Sequence, residues 1–201
     1  MTTYGAMQDR IADELSRSDL GTQIQREIQS AVAHYESERF WFNEGQYTLT
    51  TETAVEAYSI TTVLDIDSVA ITVSGHPYDL RARPFQYIDQ IRDPSYTGRP
   101  DDYAVFNDQM YLCDIPDATY TIVISGCLRL ATLSATADTN AWMTSGEEMI
   151  RCRAKSKIYL HILRDTEAAG EMAAMEREAY EKLAQKTASK IKSGSLTPTQ
   201  F

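Results

Sequence analysis

The stretch TQIQREIQSAVAHYESERFWFNEGQYTLT, residues 22–50, changes its periodicity partway along and so decides the fold class. Up to Phe40, apolar side chains recur at helical spacing: Ile24, Ile28, Ala31, Val32, Tyr35 and Phe40, with Gln, Arg, Glu and Ser between them. Asn43-Glu44-Gly45 supplies a C-terminal stop. Beyond it Tyr47-Thr48-Leu49-Thr50 alternates, in a run to Ile60 that is rich in Thr, Tyr and Val, and helix is expected to give way to strand.

Working outward from that junction, the upstream segment places Met7, Ile11, Ala12 and Leu15 at helical spacing and breaks at Ser16-Arg17-Ser18-Asp19, which predicts a short first helix. Downstream, Val69 to Val73 alternates before a Gly75-His76-Pro77 turn signal. Pro84 suits a first helical turn, with Phe85, Ile88 and Ile91 following at spacing three until Asp93-Pro94. Three β candidates come next, Tyr103 to Phe106, Gln109 to Cys113 and Ala118 to Leu128, joined by Asn-Asp and Pro-Asp turns.

Helical spacing returns near Glu147, after a potential cap at Ser145, with Ile150, Ala154, Ile158, His161 and Ile162 on one side. After a break at Arg164-Asp165-Thr166, a last helix carries Ala168, Met172, Met175, Ala179, Leu183 and Ala184. Its acidic start and lysine-rich end complement the helix dipole. The fold class expected is therefore α+β: an antiparallel bundle of N- and C-terminal helices with an inserted β-rich module. The parts are residues 1–45, N-terminal helices; 46–140, the β module with a short helix; 141–192, C-terminal helices; and 193–201, a flexible tail. That tail, rich in Ser, Thr, Gly and Pro, has too little apolar surface to build a core and is expected to be unfolded in the free subunit.

The 43% apolar and 24% charged composition is that of an ordinary globular domain. No apolar run approaches the roughly 20 residues of a membrane span. The N-terminus lacks the basic start and apolar region of a secretion signal, so synthesis in the cytoplasm is expected. Cys113, Cys127 and Cys152 are odd in number and widely spaced, which suits reduced thiols in a core. A net charge of −10 disfavours a grip on nucleic acid, because affinity for phosphates depends on clustered Lys and Arg.

Chemistry-bearing patterns are scarce. His34, His76 and His161 lie far apart, with no second ligand at metal spacing. No nucleophile elbow or Gly-rich phosphate loop occurs, so neither a catalytic nor a cofactor or metal site is expected. Asp65/Asp67, Asp101/Asp102 and Glu147/Glu148 read as solvated turns and helix starts rather than acid–base pairs. Phe40-Trp41-Phe42 stands out, since three successive large rings cannot share one helix face. Packing between the helices and the β module, or a contact with another subunit, would absorb them.

The short first helix followed by Asp19-Leu20-Gly21-Thr22-Gln23-Ile24 and by Ala33-His34-Tyr35-Glu36-Ser37-Glu38-Arg39-Phe40-Trp41-Phe42-Asn43-Glu44 resembles the head-to-tail adaptor, or connector, proteins of tailed bacteriophages. The order of parts matches across nearly the whole chain. The resemblance implies a non-enzymatic virion protein of the neck, a homo-oligomeric ring of twelve beneath the portal protein. That ring would lengthen the channel for DNA ejection and offer the attachment site for tail or nozzle proteins. It also implies a C-terminal tail that reaches into the portal, for which Leu196, Pro198 and Phe201 are the candidate contacts. An acidic lining would let genomic DNA pass without specific binding.

Three other readings compete. One is a different virion ring, such as a tail-completion or nozzle-side connector. Another is a cell-wall glycan hydrolase using carboxylates of the β module, such as Asp101 and Asp102. The third is a binding module that presents Tyr96, Tyr103 and Tyr111.

Overall fold

The computed structural model describes residues 2–93 and 95–192. The chain divides into two compact units: Glu44–Arg129 forms one, and the segments on either side of it together form the other. The α+β class read from the sequence is the class observed, with helices at both ends of the chain and, between them, sheets paired mostly antiparallel, the pairs of Arg81–Ala82 with Asp102–Phe106 and of Thr97–Gly98 with Ile115–Pro116 being parallel.

The helical unit begins with α1 (Tyr4–Leu15), capped by Thr3, whose side chain accepts the Ala6 N–H, and closed by Ser16 in the left-handed conformation. Helix α2 (Gly21–Tyr35) buries Ile24, Ile28, Ala31 and Tyr35, the stripe expected of it. It stops eight residues short of the Asn43 boundary that its periodicity suggested. The reason is local: the Asn43 side chain accepts the Phe40 N–H and donates to the Glu38 carbonyl, satisfying the backbone in a turn instead of a further helical turn.

The C-terminal half contributes α4 (Ala141–Thr144), α5 (Glu147–Ile158) and α6 (Thr166–Lys192). Asn140 caps α4 through the N–H groups of Trp142 and Met143. Ser145 ends α4 instead of capping α5, whose N-cap position is Gly146, with no side-chain cap. Helix α5 packs against α1, α2, α4 and α6 and buries Met149, Ile150, Cys152, Ala154 and Ile158, so it is apolar on more than one face, as a central helix must be. A five-residue π-helical stretch, Tyr159–Leu163, follows it and ends at left-handed Arg164. The Asp165 carboxylate then accepts the Ala168 N–H at the start of α6.

Charged groups on α5 are matched to α1. Lys155, itself buried, donates to Glu14 at 2.6 Å, and Arg151 reaches the other oxygen of the same carboxylate at 2.6 Å. Burial alone would raise the Glu14 carboxyl, but the hydrogen bonds and charges of Lys155 and Arg151 outweigh it and hold it at about 2.

In the second unit, β1 (Glu44–Thr50), β10 (Thr121–Leu128), β3 (Val63–Val73) and β4 (His76–Asp79) form one sheet in that order, all antiparallel. A second sheet runs β2 (Ala57–Ser59), β8 (Gln109–Cys113), β7 (Asp102–Phe106), β5 (Arg81–Ala82), and β6 (Thr97–Gly98) pairs with β9 (Ile115–Pro116). Two tight hairpins set the registers. Ser74-Gly75 joins β3 to β4 and Asn107-Asp108 joins β7 to β8, each with positive φ at both central residues, as the twist of a two-residue hairpin requires. Val69, Ile71, Ile122 and Ile124 of the first sheet meet Tyr103, Met110 and Leu112 of the second in one core. Helix α3 (Phe85–Ile91), started by Pro84, lies against β7 and β8.

No disulfide joins the three cysteines. Among the described residues no helix is long and apolar enough to cross a membrane.

Candidate assembly surfaces

Because Phe40, Trp41 and Phe42 sit on the turn after α2, they are not confined to one helix face. Phe40 is 2% exposed and meets Trp142 edge-on at 5.8 Å, Tyr180 edge-on at 6.1 Å and Phe42 in a stack at 5.2 Å. Phe42 is half-buried, 5.1 Å from Trp142. Trp41, also half-buried, crosses Phe42 at 5.0 Å and offers its ring to Lys186 and Lys190 of α6. All three rings therefore join the core of the helical unit or its rim.

Beside this cluster Tyr35 donates its hydroxyl to Glu176, and Arg153 reaches the same oxygen at 2.7 Å. Burial and the adjacent carboxylate push the Tyr35 phenol well above its usual range, so it stays a donor at physiological pH. A separate cleft of about 330 Å³ lies along α2, with Ile28, Val32, Leu133 and Trp142 as its apolar wall and Glu36 and Asn140 among its polar groups. Its apolar wall lacks convergent catalytic groups.

The acidic pairs of the sequence are not paired for proton transfer. Asp102 is buried and held by Arg81 at 2.7 Å and Arg83 at 3.4 Å, while Asp101 is taken by Arg99 at 2.6 Å. Glu147 binds Arg10 at 2.6 Å. Asp65 and Asp67 are exposed on β3. The three histidines are exposed on separate elements, and no group of metal-ligating side chains comes together among the described residues. Nor do the three tyrosines form one platform. Tyr96 is 58% exposed, Tyr103 lies in the core, and Tyr111 packs edge-on to Phe85 at 4.9 Å.

The β unit has a different surface. Glu44–Arg129 holds thirteen Asp and Glu against five Arg and no lysine, so most of the chain's net charge of −10 resides there. Among its described residues it also carries six large apolar side chains that are exposed: Tyr78, Tyr87, Ile91, Tyr96, Val105 and Phe106. Phe106, 54% exposed at a hairpin, stacks on Phe85 at 4.5 Å. Sequence reasoning missed this pair, because the period of β7 alone marks Phe106 as a strand end. Large rigid rings left in water on an acidic background suit contact with another macromolecule. Leu196, Pro198 and Phe201 lie outside the described residues.

The sequence model of the SU10 adaptor protein family matches residues 2–198. The chain belongs to that family, a family of phage head-to-tail adaptors. No curated protein is similar enough to be matched with it. Membership makes the adaptor a structural component of a bacteriophage virion that works through contacts with other phage structural proteins. The exposed rings and charged faces described above are therefore candidate faces for assembly.

Proposed function

We propose that the adaptor forms a ring, of twelve copies, beneath the portal protein at the neck of the virion. The ring extends the channel through which the genome leaves and offers the attachment site for tail or nozzle proteins. It acts by binding and shape, without catalysis. The observation that carries this reading is the family match, which spans residues 2–198 and so includes both units and most of the C-terminal tail.

Two further features support it. The acidity of the β unit suits a wall past which DNA must slide, since phosphates are retained by clustered cations and repelled by carboxylates. The tail starts where the 27-residue α6 ends, and its composition suits ordering on a partner, with Leu196, Pro198 and Phe201 as the contacts that enter the portal.

Deleting residues 193–201 and measuring co-sedimentation with the cognate portal tests the reading. Loss of two or three buried apolar anchors is expected to weaken binding at least ~100-fold, since each ~1.4 kcal/mol is a factor of ten. Undiminished binding would contradict a portal-docking tail.

A further inference from the structure

We infer that Trp41 is a positioning residue that holds the last turns of α6 and so fixes where the C-terminal tail leaves the subunit. The inference rests on the reading of that tail as the portal-docking segment.

Lys186 and Lys190 are four residues apart and therefore stand one above the other on the same face of α6. Their ammonium nitrogens each lie 4.6 Å from the centroid of the Trp41 ring, so a single indole holds two successive turns of the helix by cation–π attraction. The indole is itself braced. It crosses Phe42 at 5.0 Å, Phe42 stacks on Phe40 at 5.2 Å, and both rings meet Trp142, which is 1% exposed. The lysines are thus tied through three aromatic contacts to the centre of the helical core.

The grip falls where residues 188–190 of α6 are exposed. Ala179, Leu183 and Thr187 are buried, whereas Ala188, Ser189 and Lys190 are exposed. The terminal turn of a helix has unpaired carbonyls and opens first when no packing retains it. Trp41 supplies a contact to Lys190, three residues past the buried Thr187, and the cations it holds also suit the negative end of the helix dipole. Residue 193, the first of the tail, is three positions further on. A docking segment whose root is held in one place loses less freedom on binding than one whose root moves with a frayed helix.

The lysines and the aromatic motif are about 145 residues apart in sequence.

The test uses the full chain. Trp41→Ala, Trp41→Phe and the double variant Lys186→Gln/Lys190→Gln are compared with the parent for portal affinity, and for amide exchange over residues 182–192 in the free subunit. Trp41→Ala is expected to weaken portal binding roughly three- to tenfold and to speed exchange over the last turns of α6. The double variant, which leaves the core untouched, should do the same, and Trp41→Phe, which retains an aromatic face, should recover part of the binding. Parent-like affinity or unchanged exchange in the double variant overturns the inference, as does a Trp41→Phe protein no better than Trp41→Ala. If deletion of residues 193–201 abolishes binding while these variants bind normally, the inference fails alone. If that deletion has no effect, the portal-docking reading itself fails.

Discussion

Trp142→Ala is expected to destabilise the helical unit by about 3–5 kcal/mol, the range for emptying a buried aromatic site. Trp142 is 1% exposed and receives the edges of both Phe40 and Phe42, so its removal takes away the surface on which the aromatic turn is folded. The Asn140 cap of α4 depends on the Trp142 and Met143 N–H groups and survives the change, which confines the loss to packing. The void would also merge with the 330 Å³ cleft that Trp142 lines, and admitting water there relieves little, because the surrounding wall is apolar. Urea titration followed by far-UV circular dichroism measures the effect. Because each unit has its own core, the transition of the helical unit should move while that of the β unit stays in place. A loss under 1 kcal/mol would mean that this ring is not the centre of the helical core.

The second large effect lies in the β unit. A Cβ added to Gly126 would stand 2.0 Å from the Asp65 carbonyl oxygen and 3.1 Å from the Ile66 Cα, both backbone atoms of the neighbouring strand. No rotamer change relieves such a contact, so Gly126→Ala must force β10 and β3 apart where their register already shifts, between Ser125 and Gly126. A loss of about 3 kcal/mol or more is expected, with faster amide exchange along both strands. Gly170→Ala is the control. Nothing lies within 4 Å of its added carbon in the second turn of α6, and helix propensity alone should make that variant more stable by up to about 1 kcal/mol. Similar stabilities for the two variants would refute the close approach of β10 to β3.

Much of the architecture was legible because its signals are local. The change from helical to alternating period falls between Tyr35 and Tyr47, and the structure turns there from α2 to β1. Pro84 and the Asn107-Asp108 pair likewise act on their own backbones. Signals failed where a side chain overrode the period. Asn43 folds residues 38–43 into a turn although Phe40 prolongs the helical stripe. In β3, register shifts opposite Gly126 and Leu128 break the alternation, so only Val69 to Val73 looked like a strand although the strand starts at Val63.

The candidate surfaces were less legible, because they join residues distant in sequence. Nothing in Phe40-Trp41-Phe42 states that lysines on α6 will cover the middle ring, nor in Asp101-Asp102 that separate arginines will occupy the two carboxylates. What the sequence did carry for function was a family pattern across residues 19–44. It rests on likeness to a family and not on any chemical group.

A ring added by the adaptor to the portal would be visible directly. The most direct measurement is electron microscopy of the purified protein mixed with the cognate portal, beside each component alone. The account predicts an extra ring of density on one face of the portal, coaxial with its channel and with twelve-fold symmetry. A portal that stays bare beside folded adaptor would contradict the account and move the ring to the tail side of the neck.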